Sequence, residues 1–155
     1  MDEAPDLETV ASGLRSFLEG TLEAFDIEGD VAVATLEDEV VEGLITGDDV
    51  GLLIGPKGAT LTALQELARS AVAHGPSTRL RIDVGGYRER RREALEKFTR
   101  SVAEQVLANS SATAMEPMGA ADRKVVHDTA NTIDGVRTTS EGEEPRRRVV
   151  ILPDV

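Results

Sequence analysis

Residues 50–67 read Val50-Gly-Leu-Leu-Ile-Gly-Pro-Lys-Gly-Ala-Thr-Leu-Thr-Ala-Leu-Gln-Glu-Leu67. A short apolar segment, Val50–Ile54, predicted as a helical turn, runs into the glycine-bounded tetrapeptide Gly55-Pro56-Lys57-Gly58. A helix is then predicted over about 59–74, with Leu61, Leu64, Leu67, Ala68 and Ala71 on one face and Gly75-Pro76 as its stop. Two glycines let a backbone approach a sugar–phosphate chain closely. The helix start behind them offers unpaired N–H groups and the positive end of a dipole, and Lys57 places a full charge at the tip. This is not a phosphate-binding P-loop: that motif ends in Gly-Lys-Ser/Thr, whereas Lys57 precedes its glycine. Pro56 removes one backbone donor from the turn, which either weakens the grip or stiffens it.

The flanking elements follow from periodicity. Leu7, Val10, Leu14, Phe17, Leu22 and Phe25 recur at helical spacing, so residues 6–25 read as an amphipathic helix behind a disordered tail at 1–5. Val31–Leu36 and Val40–Ile45 read as strands joined at Glu37-Asp-Glu, and Gly47-Asp-Asp as a helix cap. Arg79–Val84 alternates basic and apolar residues, as a strand with one wet face does. The order is α-β-β-α-α-β, with a joint at Gly85-Gly86. Beyond it, Tyr87–Asn109 is a long helix with the stripe Leu95, Phe98, Val102, Val106. Ser110–Gly119 reads as a loop or short strand, and Ala120–Ile133 as a helix. Val136–Thr139 and Arg147–Leu152 read as strands linked by an acidic turn.

The whole is an α/β chain of the α+β kind: two small domains, 6–85 and 86–155, the second of helices packed on a small sheet. The length of 155 residues suits this. Without cysteine there is no disulfide framework, thiolate metal site or thiol nucleophile. No apolar run is long enough to span a membrane, and the acidic start is unlike a secretory signal, so a cytoplasmic protein without membrane insertion is expected.

The net charge of −12 argues at first against a polyanionic partner, but it is unevenly placed. Residues 1–50 hold 15 acidic side chains and one basic residue, Arg15. Residues 51–155 hold 14 acidic and 16 basic side chains, eight of the latter between Arg79 and Arg100. Nucleic-acid contact is therefore expected on a face built after residue 50.

Arg123 and His127 lie four apart on a predicted helix and share a face, continued by Asn131. Arginine pairs with phosphate in a forked geometry, and histidine donates a hydrogen bond or stacks on a base. Val126, Ala130 and Ile133 are placed to bury the other side.

The stretch 50–67 resembles a KH domain, whose Gly-x-x-Gly loop clamps a few nucleotides of a single strand, and the element order resembles the type II arrangement. The segments Tyr87–Glu93, Met118–His127 and Thr138–Pro153 resemble an R-3-H (Arg-x-x-x-His) domain. The two in succession, over about residues 28–153, resemble the Jag (SpoIIIJ-associated, KhpB) family of bacterial RNA-binding proteins. The resemblance implies a grip by Ile54, Gly55, Pro56, Lys57 and Gly58 at one site. It implies Arg123, Lys124 and His127 at another, with Arg88, Arg91 and Arg92 of the long helix beside them. Ile54, Leu61 and Leu64 are candidates for an aliphatic base-binding groove. Single-stranded RNA, with single-stranded DNA a further option, is the implied ligand. A small KH-domain protein is the implied partner, a homodimer is possible, no cofactor is implied, and the role is that of an RNA chaperone or post-transcriptional regulator affecting cell elongation and envelope growth. Asp122 stands where a longer acidic residue is common, and the further N-terminal domain that many members carry is not expected within these 155 residues. Substituting Lys57 and Gly58 together by aspartate is expected to impair binding and leave stability nearly intact.

Two other readings compete. A nuclease built on His127-Asp128 is disfavoured because helix neighbours point about 100° apart, and no cluster has metal-ligand spacing. The other histidine, His74, reads as a helix C-terminal cap. A protein-interaction module using the acidic first half gains weight from the scarcity of aromatics. Phe17, Phe25 and Phe98 all fall on apolar stripes and are expected in the core, leaving only Tyr87.

Overall fold

The computed structural model describes residues 6–72 and 78–155. The expected tail at 1–5, the helix stop at Gly75-Pro76 and the His74 cap lie outside the described residues. Helix α1 (Leu7–Ala24) leads to strands β1 (Asp30–Thr35) and β2 (Val40–Thr46), joined through a 3-10 turn at Glu37–Glu39. Two further 3-10 turns, Val50–Leu53 and Pro56–Gly58, precede helix α2 (Ala59–Val72) and strand β3 (Arg79–Val84). The helix predicted at Val50–Ile54 is thus a single tight turn: Ile54 and Gly55 both donate to the Gly51 carbonyl, and Gly55, at φ 71°, cannot continue a helix. Then come helix α3 (Tyr87–Asn109), strand β4 (Thr113–Ala114), helix α4 (Ala120–Ala130), and strands β5 (Val136–Glu141) and β6 (Arg148–Pro153).

Contacts divide the chain between Arg88 and Glu89 into two units. The first has a sheet of order β1-β2-β3. β1 and β2 pair antiparallel with Val33 opposite Gly43, whereas β2 and β3 run parallel with Val41 opposite Leu80. A parallel neighbour needs a crossover, and the segment carrying the glycine turn and α2 supplies it. Alternation along β2 and β3 turns Val41, Ile45, Leu80, Ile82 and Val84 inward, where they meet Leu14 and Leu18 of α1 and Leu61, Leu64 and Ala68 of α2. Gly43 lies under α1: a Cβ there would sit 2.6 Å from Leu18 Cδ1 and 3.1 Å from Leu14 Cδ2.

The second unit has a sheet of order β4-β6-β5, antiparallel throughout. Val149 and Ile151 of β6 pack with Leu95, Val102, Ala103 and Val106 of α3 and Val126 of α4. Phe98, expected in this stripe, is 55% exposed. Thr99 occupies the buried position instead, its hydroxyl donating to the Leu95 carbonyl at 2.7 Å. Phe25 is likewise 53% exposed, because α1 ends at that residue and the chain reverses through Asp26 at φ 53°.

Candidate nucleic-acid interface

The glycine turn is held by its own backbone. Gly58 N–H donates to the Gly55 carbonyl, Ala59 N–H to Pro56, and Leu61 N–H to Ile54. Three amides near the helix start are therefore engaged inside the turn rather than pointing outward unpaired. Gly55 and Gly58 both have positive φ, and a Cβ at Gly55 would lie 2.2 Å from Thr60 Oγ1. Lys57 also sits in the left-handed region, at φ 53°, so an exposed cation is presented on a backbone conformation that its neighbours impose. Pro56 is exposed beside it and Ile54 is half-buried against the core, while Leu61 and Leu64 are core residues rather than a groove lining.

The arginines that open α3 are engaged. Arg88 donates from Nε to the Ile82 carbonyl at 3.0 Å and from Nη2 to Gln65 Oε1 at 2.7 Å. The same Gln65 oxygen accepts the Ile82 amide at 3.1 Å, so one side chain of α2 ties β3 to Arg88. In the second unit Arg91 forks onto Asp122 Oδ2 at 3.1 and 3.0 Å, joining α3 to α4. Arg92 lies between Glu89 and Glu96 on the same helix. Hydrogen bonding to Arg92 holds the Glu89 carboxyl below its ordinary value, and the two carboxylates, Glu89 first, push the guanidinium above its own.

The Arg123–His127 face turns toward the sheet rather than toward solvent. Arg123 is only 9% exposed, donating from Nη1 to the Met118 carbonyl at 2.6 Å and from Nη2 to Glu144 Oε1 at 2.5 Å. His127 is half-buried, with Nδ1 2.7 Å from Thr138 Oγ1 and Nε2 2.8 Å from Ser140 Oγ. In the neutral imidazole one nitrogen donates and the other accepts, and hydroxyls serve either role. Lys124 is exposed on the outer side, paired with Asp128 at 2.6 Å. Among the described residues no group of three or more His, Cys, Asp or Glu is placed to hold a metal ion.

Thr138, Ser140, Glu144, Gln65 and Tyr87 shape these sites without being legible as site residues in the sequence. The alternation of Thr138 and Ser140 along a strand whose apolar neighbours face inward is the one signal that the first two carry. Tyr87 touches Gly58, since a Cβ at that glycine would lie 2.7 Å from Tyr87 Cε1.

The family model of the R-3-H domain matches residues 93–153. The chain is 35% identical over 147 residues to a Clostridium symbiosum protein named RNA-binding protein KhpB, covering 93% of this chain and 66% of that one. It is 34% identical over 139 residues to the protein of that name from Bacillus subtilis, covering 87% and 66%, and 31% identical over 152 residues to that of Streptococcus pneumoniae serotype 2, covering 94% and 45%. The chain thus spans about two thirds, or less, of the curated relatives it matches. These identities run through both units, and the second unit carries the R-3-H match with its Arg123–His127 pair, so the chain belongs to the KhpB (Jag) family.

Proposed function

We infer that this protein binds single-stranded RNA, in the bacterial cytoplasm and without catalysis. The observation that carries this reading is the alignment of nearly the whole chain with proteins named for RNA binding. The local geometry supports it. In the unit up to Arg88, taken as a type II KH domain, the Gly55-Pro56-Lys57-Gly58 turn offers an exposed cation beside half-buried Ile54, a surface on which a sugar–phosphate chain can lie. In the second unit, Lys124 is the outward member of the Arg-x-x-x-His helix, and Arg123 and His127 fix that helix to the hairpin carrying Glu144.

Two weak sites on one flexible strand gain avidity through effective concentration. Arg88 and Arg91 tie α3 to β3 and to α4, so their role is to brace the interface from behind, whereas Arg92, half-exposed between Glu89 and Glu96 on the same helix, stays within reach of a phosphate. A small KH-domain partner, or a second copy, completes the expected assembly. Post-transcriptional control of elongation and envelope growth follows from the family resemblance alone.

The test is fluorescence anisotropy with a labelled single-stranded RNA at several salt concentrations, beside single-stranded DNA of the same sequence. Affinity for RNA that falls as salt rises is expected. Absence of binding by the full chain, alone and with a KH-domain partner, would overturn the reading.

A further inference from the structure

The end of the first unit's sheet carries a second surface, outside the residues proposed above for RNA contact. Glycines 29 and 47 let two segments cross in contact: a Cβ at Gly29 would lie 2.8 Å from the Thr46 carbonyl oxygen, and one at Gly47 would lie 2.7 Å from that of Glu28. The crossing sets residues 25–28, at the end of α1, beside residues 48–52. Between them opens a concavity of about 670 Å³ whose lining includes Phe25, Leu52 and the carboxylates of Asp26, Glu28, Asp48 and Asp49. Phe25 is 53% and Leu52 61% exposed. The four carboxylates are exposed, and no Lys or Arg is among the lining residues. The C-terminal end of α1 adds its own negative partial charge to the same place.

We propose that this concavity is a docking site for a basic segment of a partner protein, one that carries an apolar anchor among its Lys and Arg side chains. Charge complementarity selects the occupant. A nucleic acid is repelled by four carboxylates, and no metal-binding group is present among the described residues. A second copy of the chain is a poor fit, because several of its arginines are already paired: Arg91 with Asp122, Arg92 with Glu89 and Glu96, and Arg148 with Glu141. The apolar rim adds what charge alone lacks. A large exposed aromatic takes the face of a guanidinium or an aliphatic stem, and an anchor side chain removed from water between Phe25 and Leu52 fixes register.

The experiment uses the full chain, isotopically labelled, with two synthetic peptides of equal charge, one alternating Lys and Leu, the other Lys and Ser. Amide shifts centred on residues 25–28 and 48–52 are expected, with the Lys/Leu peptide bound about tenfold more tightly. Phe25→Ser with Leu52→Ser should erase that preference, and Asp48→Asn with Asp49→Asn should weaken both peptides. Glu37→Gln with Glu39→Gln should change neither, and the RNA affinity of all three variants should match that of the parent chain. Equal affinity for the two peptides, or shifts centred on the Glu37–Glu39 turn, would reduce the surface to general charge attraction and overturn the proposal. So would loss of RNA binding in the Phe25/Leu52 variant, or its conversion of a dimer to a monomer in sedimentation, which would make RNA or a second copy the occupant.

Discussion

Gly58 and Tyr87 are packed together, the last loop glycine lying so close to the tyrosine ring that a single methyl group on it would sit 2.7 Å from Cε1. The glycine is therefore required twice, by its φ of 77° and by the ring. Gly58→Ala should destabilise the first unit by about 2 kcal/mol or more, from left-handed strain and overpacking together. Urea denaturation followed by circular dichroism measures it. The expectation that a Lys57/Gly58 double aspartate leaves stability intact is replaced by its opposite, since the damage comes from position 58.

Lys57 separates binding from folding. Its side chain is exposed, so Lys57→Glu should leave the melting temperature unchanged, weaken single-stranded RNA binding, and lower the slope of log affinity against log salt by about one. An unchanged slope would remove Lys57 from the interface.

On the proposed reading, a phosphate reaching Arg123 has Glu144 as its rival. Glu144 is 59% exposed at the side chain while Arg123 is almost covered, so Glu144→Gln should keep the fold. RNA affinity should rise by a factor of about two to five, the worth of a partly exposed ion pair. Arg123→Met should instead cost about 1–3 kcal/mol of stability as well as affinity, because the Met118 carbonyl loses its charged donor. Anisotropy and thermal melts on the same two variants distinguish these effects.

His127 holds α4 to β5 through two hydroxyls, 11 and 13 residues away in sequence. A double-mutant cycle of His127→Ala with Thr138→Val should give a coupling of about 1 kcal/mol in stability. A coupling near zero would mean that the imidazole contributes to the surface alone.

The Glu89 carboxyl titrates below its ordinary value chiefly through its hydrogen bond from Arg92. A depressed folded-state pKa makes the contribution complete at neutral pH and removes it as pH falls through that depressed value. Arg92→Ala should shift the Glu89 titration upward, toward the ordinary carboxylate value. Carboxyl-carbon chemical shifts against pH show it directly.

These outcomes also mark what the chain reveals before it is folded. The 3.6-residue recurrence of Val10, Leu14, Leu18 and Leu22 places α1 and its buried face together, because a stripe of that length has one helical solution. Alternation does the same for β3. Phe25 and Phe98 mislead since apolar identity says nothing about which side of a helix end, or which flank of a stripe, meets the sheet. Arg123 and His127 are legible by their spacing, yet their partners are not. Thr138 and Ser140 reach His127 only when α4 packs on β5, and Glu144 reaches Arg123 only when the β5–β6 turn folds back, and nothing local in a sequence encodes contacts made at such separation. The Gly58–Tyr87 contact is hidden for the same reason.

The absent side chain at Gly43 bears on how so aromatic-poor a chain fills an interior. With only a hydrogen on the central strand, Leu14 and Leu18 settle onto the backbone itself, and the helix rides low over the sheet. A layer drawn that near needs no ring to bridge it. The largest fully buried side chains among the described residues are accordingly Leu, Ile and Val. Thinness, rather than bulk, is what closes this core: of the four rings Phe17 and Tyr87 pack only at its margin, and Phe25 and Phe98 are left available to the outside.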